Sequence, residues 1–449
     1  MPLAFVVWLV LLGLIGLVWA SRHLEISRAR RTERALSSAT YADPPADAPR
    51  ISVLVAAKDE EENIAACVRS FLDQDYPNFE LIVINDRSSD RTGEILGEFA
   101  RQHDRLQAGG QRGQAPREAW FSTSRTQSDS EPVPCCHGRL RVVTITALRD
   151  GWFGKSNAMR EGVAVATGDW LCFSDADCTQ TSTRTLAAAL QECRSQSIDF
   201  LSVLPVLATQ SFWERIIQPV CAGVMMLWFR PERVNDPRSS AAYANGAFML
   251  MSRSVYEGIG GHEAVRTQLN EDMHMARIAK ERGYVLRVIR NTDLYVTRMY
   301  ASLGAAWRGW TRIFYGCLGS FRRLFIALMV LTLLSLSPWV GLLVAGAGVY
   351  GAGEGELAAG WRWLLGVSAV VVILEQSVIA RFYKLVRMPG LYSVGYPLGA
   401  LITWGMLVNA MLKLGGATTT TWRGTTYRAG RLDSTEPQTS PAAGPTENA

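Results

Sequence analysis

The chain has 449 residues, of which 48% are hydrophobic and 19% are charged, and its formal net charge is +5. This length exceeds one small core and predicts two or three structural units. Most Arg and Lys residues flank long apolar runs, where they favour contact with anionic lipid head groups, so the positive charge does not indicate a nucleic-acid partner. The composition is typical of a membrane protein with a polar middle part.

The N-terminal end predicts a transmembrane helix over residues 1–20. Residues 2–20 carry no charge and are just long enough to cross a hydrocarbon core of about 30 Å. The basic linker that follows, residues 21–49, is placed in the cytoplasm by the positive-inside bias. A cleaved signal peptide is the alternative, but the segment has neither a charged start nor a clear small-residue cleavage site.

Three further apolar runs lie in residues 324–412, which are predicted to form transmembrane or interfacial helices. The runs are residues 324–350, 363–380 and 391–412. Gly, Pro and Tyr interrupt the third run, so its full crossing and the side of the tail are left open. Basic clusters before the first run and after the second favour the cytoplasm for both positions. The tail, residues 413–449, is predicted to be mostly disordered.

Between residues 50 and 300, short apolar runs alternate with helical stretches, which indicates a mainly parallel sheet covered by helices. The predicted buried strands are residues 51–56, 80–84, 140–145 and 169–174. The predicted helices are residues 61–72, 92–101, 155–166 and 272–283. Residues 102–138 break this rhythm with Gly, Gln, Ser and Pro and are predicted to be a mobile insertion. Residues 301–323 are predicted to form an interfacial segment before the membrane runs.

Acidic residues follow three of the predicted strands. Asp59 and Glu60 come after the first, Asp86 after the second, and Asp175 and Asp177 after the fourth. Ligands bind beyond the carboxyl ends of strands in such sheets, so we expect these carboxylates to gather at one edge. The D-x-D pair alone is weak, because the same spacing is frequent in solvated turns. If the chain turns sharply there, the pair could hold Mg²⁺ or Mn²⁺, with phosphate oxygens completing the shell.

Further segments complete an ordered set of motifs, in a resemblance that covers roughly residues 50–427. Its members are residues 55–60, 75–86, 88–92, 175–177, 245–248, 260–262, 271–272, 298–300 and 307–312. The set resembles the family 2 glycosyltransferases of GT-A fold, and its later members are similar to membrane-bound enzymes that act on ceramide, carotenoid or other lipid acceptors. The resemblance implies an α/β nucleotide-diphospho-sugar transferase domain with N-terminal and C-terminal transmembrane helices.

The resemblance also implies how the donor is bound. Asp59 or Glu60, together with Asp86, would contact the base and ribose of the nucleotide. Asp175 would hold the ribose or the metal, and Asp177 would coordinate the metal. Lys155 lies near a predicted helix start and would approach the nucleotide or its phosphates, although a solvated surface lysine explains it equally well.

Asp272 is the predicted general base, because a carboxylate can take the proton that the attacking acceptor hydroxyl loses. Glu271 completes this acidic pair, which a helix dipole alone would also favour in a first turn. Arg308 and Arg312 are predicted to lie over the diphosphate, with an interfacial belt as the alternative. Their R-x-x-x-R spacing departs from the Q/R-x-x-R-W pattern of processive synthases. The predicted acceptor side comprises Gly246, His262 and Trp310.

Together these features predict a metal-dependent, inverting glycosyltransferase, because no good nucleophilic side chain for a double displacement stands out. Its donor would be a nucleotide diphosphate sugar of the UDP-glucose type, and its acceptor a lipid-borne hydroxyl. The protein would be a multi-pass protein of the cell membrane with a cytoplasmic catalytic domain, its oligomeric state left open. Two alternatives remain, a processive polysaccharide synthase and a non-catalytic membrane protein that binds sugar nucleotides.

Overall fold

A computed structural model describes residues 2–32, 35–41, 47–109, 139–351, 355–416, 420–422, 425–428 and 431–432. The strands are β1 Ala35–Leu36, β2 Ile51–Ala57, β3 Phe79–Asp86, β4 Leu140–Ile145, β5 Trp170–Asp175, β6 Cys178–Gln180, β7 Phe200–Leu204, β8 Val206–Leu207, β9 Phe248–Ser252, β10 Leu286–Asn291, β11 Tyr295–Thr297, β12 Thr420–Trp422, β13 Thr425–Arg428 and β14 Arg431–Leu432. The α-helices are α1 Leu3–Thr32, α2 Ile64–Leu72, α3 Thr92–Gly109, α4 Gly154–Val165, α5 Thr185–Ser195, α6 Phe212–Trp228, α7 Pro231–Val234, α8 Arg253–Gly258, α9 Glu271–Glu281, α10 Leu303–Leu318, α11 Phe321–Leu331, α12 Ser337–Gly351, α13 Glu356–Leu385 and α14 Tyr396–Leu414.

The central element is an eight-stranded sheet in the order β1-β10-β7-β9-β5-β2-β3-β4. Its strands are parallel except for β9, which runs antiparallel to both of its neighbours, β5 and β7. The predicted α/β fold class is thus confirmed. Strands β2 and β3 are buried almost throughout, because helices cover both faces of the sheet. Strand β4 lies at the edge, and Ile145 is its only buried residue, so the expectation of a buried strand there is wrong.

The register of the sheet aligns the strand ends that carry acidic residues. Ala57 at the end of β2 pairs with Asn85 of β3, and Ala56 pairs with Asp175 of β5. Because β9 is antiparallel, its first residue, Phe248, pairs with Ser174 near the end of β5. The segment that precedes β9 therefore lies at the same edge as the segments that follow β2, β3 and β5.

Two helices extend beyond the predicted boundaries. Helix α1 continues through much of the predicted basic linker to Thr32, since residues 21–32 contain neither Gly nor Pro. Helix α3 continues eight residues past the predicted end, from 101 to Gly109. Residues 110–138 of the predicted insertion and residues 433–449 of the predicted tail lie outside the described residues.

Within the part of the chain that the structure describes, four helical segments are long and apolar enough to cross a membrane. They are Leu3–Arg28, Phe321–Gly351, Leu357–Leu385 and Gly390–Leu414. Helix α13 packs against α1 and α12, and α14 packs against α10 and α11. Helix α6 also packs against α14, so it joins the sheet domain to these apolar helices. Glu375 within α13 is fully buried and therefore faces protein.

Candidate active site

A cavity of about 1690 Å³ opens at the carboxyl edge of the sheet and continues between the apolar helices. Most of the predicted site residues line it, and they come from segments that are far apart in sequence. These residues are Glu60, Asp86, Lys155, Asp175, Asp177, Gly246, Glu271, Asp272, Trp310 and Arg312. The cavity lining does not include three other predicted site residues, Asp59, His262 and Arg308.

Asp175 and Asp177 converge because the chain turns between two strands. Strand β5 ends at Asp175 and β6 begins at Cys178, so two residues form the turn. Thr297 is paired with Cys178 across the β6–β11 ladder, and its hydroxyl hydrogen-bonds the Asp177 carboxylate. Burial, together with the nearby charges of Asp175 and Glu60, raises the pKa of Asp177 to about 7. The turn therefore brings two carboxylates close together, and Asp177 lies in a negatively charged environment.

This carboxylate pair is compatible with a divalent cation. Among the described residues, no group of three or more His, Cys, Asp or Glu side chains is arranged to hold a metal. A pair is sufficient for Mg²⁺, which typically binds one or two carboxylates and completes its octahedral shell with water and substrate phosphates. The mutual repulsion that raises the pKa of Asp177 would be relieved by a cation between the two side chains.

Lys155 links the D-x-D turn to the acidic pair at the start of α9. It is the second residue of α4, whose entry segment is fixed by the buried side chains of Trp152 and Phe153. Its Nζ lies 2.7 Å from Asp175 Oδ1 and 2.7 Å from Glu271 Oε1. Burial opposes the charged form, but the surrounding carboxylates hold the pKa of Lys155 well above its usual value. The lysine is therefore a fixed cation inside the cavity rather than a solvated surface residue.

Asp272 lies beside this lysine at the beginning of α9. Its Oδ2 accepts a hydrogen bond from the Gly246 amide at 2.8 Å, and its Oδ1 accepts one from the Met273 amide at 2.7 Å. Burial and the adjacent Glu271 raise the pKa of Asp272 to about 7, against the opposing charge of Lys155. A carboxyl group with this pKa can bind and release a proton near neutral pH.

Gly246 lies so close to Lys155 that a side chain in its place would displace the Lys155 ammonium group. A Cβ atom there would lie 2.8 Å from the Lys155 Nζ and 3.4 Å from Asp272 Oδ2. The antiparallel direction of β9 brings this glycine to the acidic edge. Its backbone amide holds the Asp272 carboxylate, so its contact with the site is made by the main chain.

On the donor side, Glu60 and Asp86 line the cavity and Asp59 does not. Asp86 receives two hydrogen bonds from its neighbour Arg87, at 2.8 and 3.0 Å. Asp59 adopts a left-handed backbone conformation with φ 53°. Its exposed carboxylate accepts hydrogen bonds from the Ser89 amide and hydroxyl, at 2.7 and 3.1 Å. It therefore joins the loop after β2 to the loop after β3, and Glu60 is the member of the pair that faces the cavity.

His262 and Arg308 also lie apart from the cavity lining. His262 is buried, and its Nδ1 lies 2.9 Å from the Tyr256 hydroxyl. Burial, reinforced by the charge of Lys155, lowers the pKa of His262 to about 3, so the ring is neutral at physiological pH. Arg308 is exposed on α10, whereas Arg312, one turn further, lines the cavity and hydrogen-bonds Tyr300.

Two polar contacts at the site join residues that are far apart in sequence. The first is Thr297 against Asp177, which depends on the pairing of β11 with β6. The second is Arg298, which lines the cavity and donates from Nε to Glu214 Oε1 at 3.2 Å. Glu214 also accepts from the Gln210 and Ser211 amides and so caps the start of α6. The contact between Thr297 and Asp177 could have been predicted only from the pairing of two strands that are more than 100 residues apart in sequence.

Two family models match the chain along the segments that build this cavity. Glycosyl transferase family 2 matches residues 52–108, and Glycosyltransferase like family 2 matches residues 122–297. The first match includes β2 and β3 with the loops that follow them. The second includes β5, the D-x-D turn, Gly246 and Asp272.

Curated relatives and solved structures extend this similarity. The Beta-monoglucosyldiacylglycerol synthase of Trichormus variabilis is 25% identical over 217 residues, which are 47% of this chain and 38% of the relative. The probable glycosyltransferase YdaM of Bacillus subtilis is 30% identical over 29% of this chain and 23% of its own length. The 4,4'-diaponeurosporenoate glycosyltransferase of Staphylococcus aureus is 22% identical over 66% of this chain and 69% of the relative. The first two relatives are thus spanned over well under half of their length.

Among solved structures, the mannosyltransferase PcManGT from Pyrobaculum calidifontis, in complex with GDP-Man and Mn²⁺, superposes with a TM-score of 0.48. It shares 20% sequence identity, and the superposition covers 90% of this chain and 98% of that one. The two family matches and the mixed α/β sheet that carries their motifs lead to one assignment. The chain belongs to the family 2 glycosyltransferases, and the relatives that it resembles include two enzymes with lipid-related names.

Proposed function

We propose that this glycosyltransferase moves a hexose from a nucleotide diphosphate sugar of the UDP-glucose type to a hydroxyl group of a membrane lipid, with inversion at the anomeric carbon. The observation that carries the proposal is the continuity of one cavity. Its polar end holds the D-x-D turn and Asp272, and its other end lies between helices that are long and apolar enough to cross a membrane.

In this proposal Asp175 and Asp177 hold Mg²⁺ or Mn²⁺. When bound, such a cation offsets the negative charge that develops on the leaving diphosphate. Glu60 and Asp86 contact the nucleotide from the ends of β2 and β3, and Arg312 contacts the diphosphate from α10. A guanidinium is suited to this contact because it can donate two parallel hydrogen bonds to phosphate oxygens.

Asp272 acts as the general base in the proposed reaction. The acceptor hydroxyl loses its proton to the Asp272 carboxylate while its oxygen attacks the anomeric carbon, and the bond to the diphosphate breaks. The hydrogen bonds from Gly246 and Met273 fix the carboxylate. Asp175 and Glu271 each lie 2.7 Å from the Lys155 Nζ, whereas the Asp272 carboxylate accepts its hydrogen bonds from main-chain amides. One displacement by the acceptor gives inversion.

Lys155 is proposed to position both halves of the site. It contacts Asp175 on the donor side and Glu271 next to the base, so it fixes the two carboxylates relative to each other. It also compensates part of the negative charge that six acidic side chains bring to the polar end of the cavity. Its cationic Nζ is available to a donor phosphate oxygen without a change in protonation, because the surrounding carboxylates keep its pKa high.

The membrane arrangement in the proposal follows the charge distribution. Arg322 and Arg323 lie at the beginning of the second apolar segment, Phe321–Gly351, and Arg381 and Lys384 lie near the end of the third. With these clusters in the cytoplasm, the sheet domain faces the compartment in which nucleotide sugars are made. The relatives named for glucosyldiacylglycerol and diaponeurosporenoate support a lipid acceptor for this chain.

The test is transfer in reconstituted vesicles. The purified protein in lipid vesicles is incubated with a radiolabelled nucleotide sugar and Mn²⁺, and the products are separated by solvent extraction. Label in a solvent-extractable lipid, with an inverted anomeric configuration by NMR, supports the proposal. Label in a large polymer would instead indicate a processive synthase. Retention of configuration would refute the single displacement, and absence of transfer with every donor would favour a non-catalytic protein.

A further inference from the structure

The part of the cavity that lies between the apolar helices is lined differently from the part at the sheet. Four elements form its walls, namely α1, α6, α11 with the π-helical turn Thr332–Leu336, and α13. The wall residues are mainly aliphatic and aromatic, among them Val18, Val330, Leu331, Val378, Ile379 and Phe382. We call this part the apolar arm. A concave surface of this composition favours hydrocarbon over a polar ligand.

The apolar arm is almost as deep as one leaflet of a bilayer. Its lining residues extend along α11 and the π-helical turn from Ala327 to Ser335. This span corresponds to roughly 12 Å at about 1.5 Å per residue. Half of a hydrocarbon core of about 30 Å is roughly 15 Å. The arm can therefore hold most of the length of a chain that occupies one leaflet.

The deep end of the apolar arm is closed by two hydrogen bonds between helices. Pro338 has no amide hydrogen to donate to the carbonyl four residues before it, that of Leu334. This carbonyl instead accepts a hydrogen bond from Trp19 Nε1 at 2.9 Å, which ties α1 to the π-helical turn. Beside it, the Ser335 and Tyr396 hydroxyls are 2.7 Å apart and buried. These contacts form a floor at the end opposite to the sheet.

The open end of the apolar arm leads to the reacting groups. Arg22, Glu25 and Arg230 line the cavity where α1 and α6 leave the apolar region, and Arg230 lies 3.3 Å from Glu25. Tyr300 and Trp310 line the passage towards Asp272. The arrangement runs from charged residues at head-group level to hydrocarbon walls and a closed floor. This order of polarity is that of a lipid molecule standing in one leaflet.

We propose that the apolar arm is a binding chamber for one hydrocarbon chain of the lipid acceptor, whose hydroxyl then lies at Asp272 and whose chain ends at the Ser335–Tyr396 pair. This inference rests on the proposed function and makes it more specific. It implies that the enzyme takes its acceptor partly out of the bilayer and selects it by chain dimensions, in addition to the chemistry of the hydroxyl group.

The test uses a diacylglycerol with a diazirine on one acyl chain, incorporated in phosphatidylcholine vesicles with the full-length protein. After irradiation, mass spectrometry of peptides locates the cross-links. We expect labelled residues on the inner faces of α11 and α13, at Val330, Leu331, Val378 and Ile379. Cross-links that favour outward residues such as Leu343, which is 72% exposed, would overturn the proposal.

A matched pair of glycine substitutions tests whether the chamber itself is required. Gly223 lines the cavity, and a Cβ there would meet no atom within 4 Å, so Gly223→Phe fills the arm without an immediate clash. Gly366 in α13 has the same open surroundings but does not line the cavity. We expect at least a tenfold loss of chamber cross-links in Gly223→Phe and none in Gly366→Phe. Val330→Trp serves as a second blocking variant should Gly223→Phe fail to fold.

The outcomes separate this inference from the proposed function. Cross-links in the apolar arm without formation of a glycolipid would support the chamber and contradict lipid glycosylation. Glycolipid formation that neither blocking variant reduces, with cross-links outside the arm, would refute the chamber and leave the proposed reaction standing. Equal loss in Gly223→Phe and Gly366→Phe would also refute the chamber, because the effect would then not depend on its lining.

Discussion

Replacement of Asp272 by Asn removes the proposed base with little change in shape. The Asn side-chain oxygen can still accept the hydrogen bond that the Gly246 amide donates at 2.8 Å, so we expect the variant to fold. General-base catalysis typically contributes about 10²–10⁴-fold to a rate. At about 1.4 kcal/mol per factor of ten, the variant should raise the activation barrier by roughly 3–5 kcal/mol. The loss should appear in kcat, because the carboxylate acts on a bound acceptor.

The pH dependence gives this prediction a second readout. A base works only when deprotonated, and the pKa of Asp272 is raised to about 7. We therefore expect kcat/KM of the wild type to fall as the pH decreases through about 7, by up to tenfold per pH unit below it. The assay is initial-rate transfer in vesicles at saturating Mn²⁺, so that Asp177 is held as a ligand across the range. In Asp272→Asn this decrease of kcat/KM below pH 7, the acidic limb of the pH profile, should be absent.

Glu281→Gln is the matched control for Asp272→Asn. Glu281 is the last residue of the same helix, and its side chain is 64% exposed and 3.7 Å from Arg277. An exposed substitution of this kind should change stability by less than about 0.5 kcal/mol and leave transfer intact. Near wild-type kcat in Asp272→Asn, or an unchanged acidic limb in that variant, would refute the assignment of Asp272 as the base.

Three further predictions concern the metal, the arginines and the histidine. Asp177→Ala should abolish the stimulation of transfer by Mn²⁺ in a titration, whereas substitution of the exposed Asp150 by Ala should not. Undiminished turnover in Asp177→Ala would refute the proposed metal site. Arg312→Ala should lower kcat/KM about 10- to 100-fold, because charge-assisted hydrogen bonds are lost, and Arg308→Ala should leave kcat/KM nearly unchanged. Equal effects of the two substitutions would contradict the finding that only Arg312 of this pair lines the cavity. Tyr256→Phe should lower the stability by about 1–3 kcal/mol, because the buried His262 Nδ1 loses its hydroxyl partner, and the measurement is the melting temperature. A large loss of kcat with unchanged stability would instead indicate that this pair has a role in the reaction.

The acidic edge of the sheet could be predicted because it depends on a general rule. Parallel strands end at the same edge, so carboxylates that follow three apolar runs must approach one another. The register bears out this prediction for the ends of β2, β3 and β5. The fold class followed from the same alternation of short apolar runs and helical stretches.

The parts of the site that depend on long-range pairing could not be predicted in this way. Strand β9 has an apolar pattern like that of the other strands of the sheet, which are parallel to one another. Nothing in that pattern shows that β9 runs in the opposite direction. Yet this direction brings Gly246 to Asp272. Thr297 reaches Asp177 only because β11 pairs with β6, and the two strands are more than 100 residues apart in sequence.

Motif similarity alone also could not decide which side chains face the cavity. Asp59 and Glu60 are adjacent, but the left-handed conformation of Asp59 directs its carboxylate to Ser89. Arg308 and Arg312 are one helical turn apart, and only Arg312 lines the cavity. Such differences arise from local backbone geometry and packing, which one sequence does not display.

The central claim is that the protein transfers a sugar to a lipid and that Asp272 is the general base of this reaction. Mass spectrometry of lipid extracts from cells that produce the wild type, the Asp272→Asn variant or no protein tests it most directly. We predict that one lipid class gains a hexose in cells with the wild type and lacks it in the other two. Lipid profiles that are identical in all three cell types, or a hexose-bearing lipid that persists with Asp272→Asn, would contradict the claim.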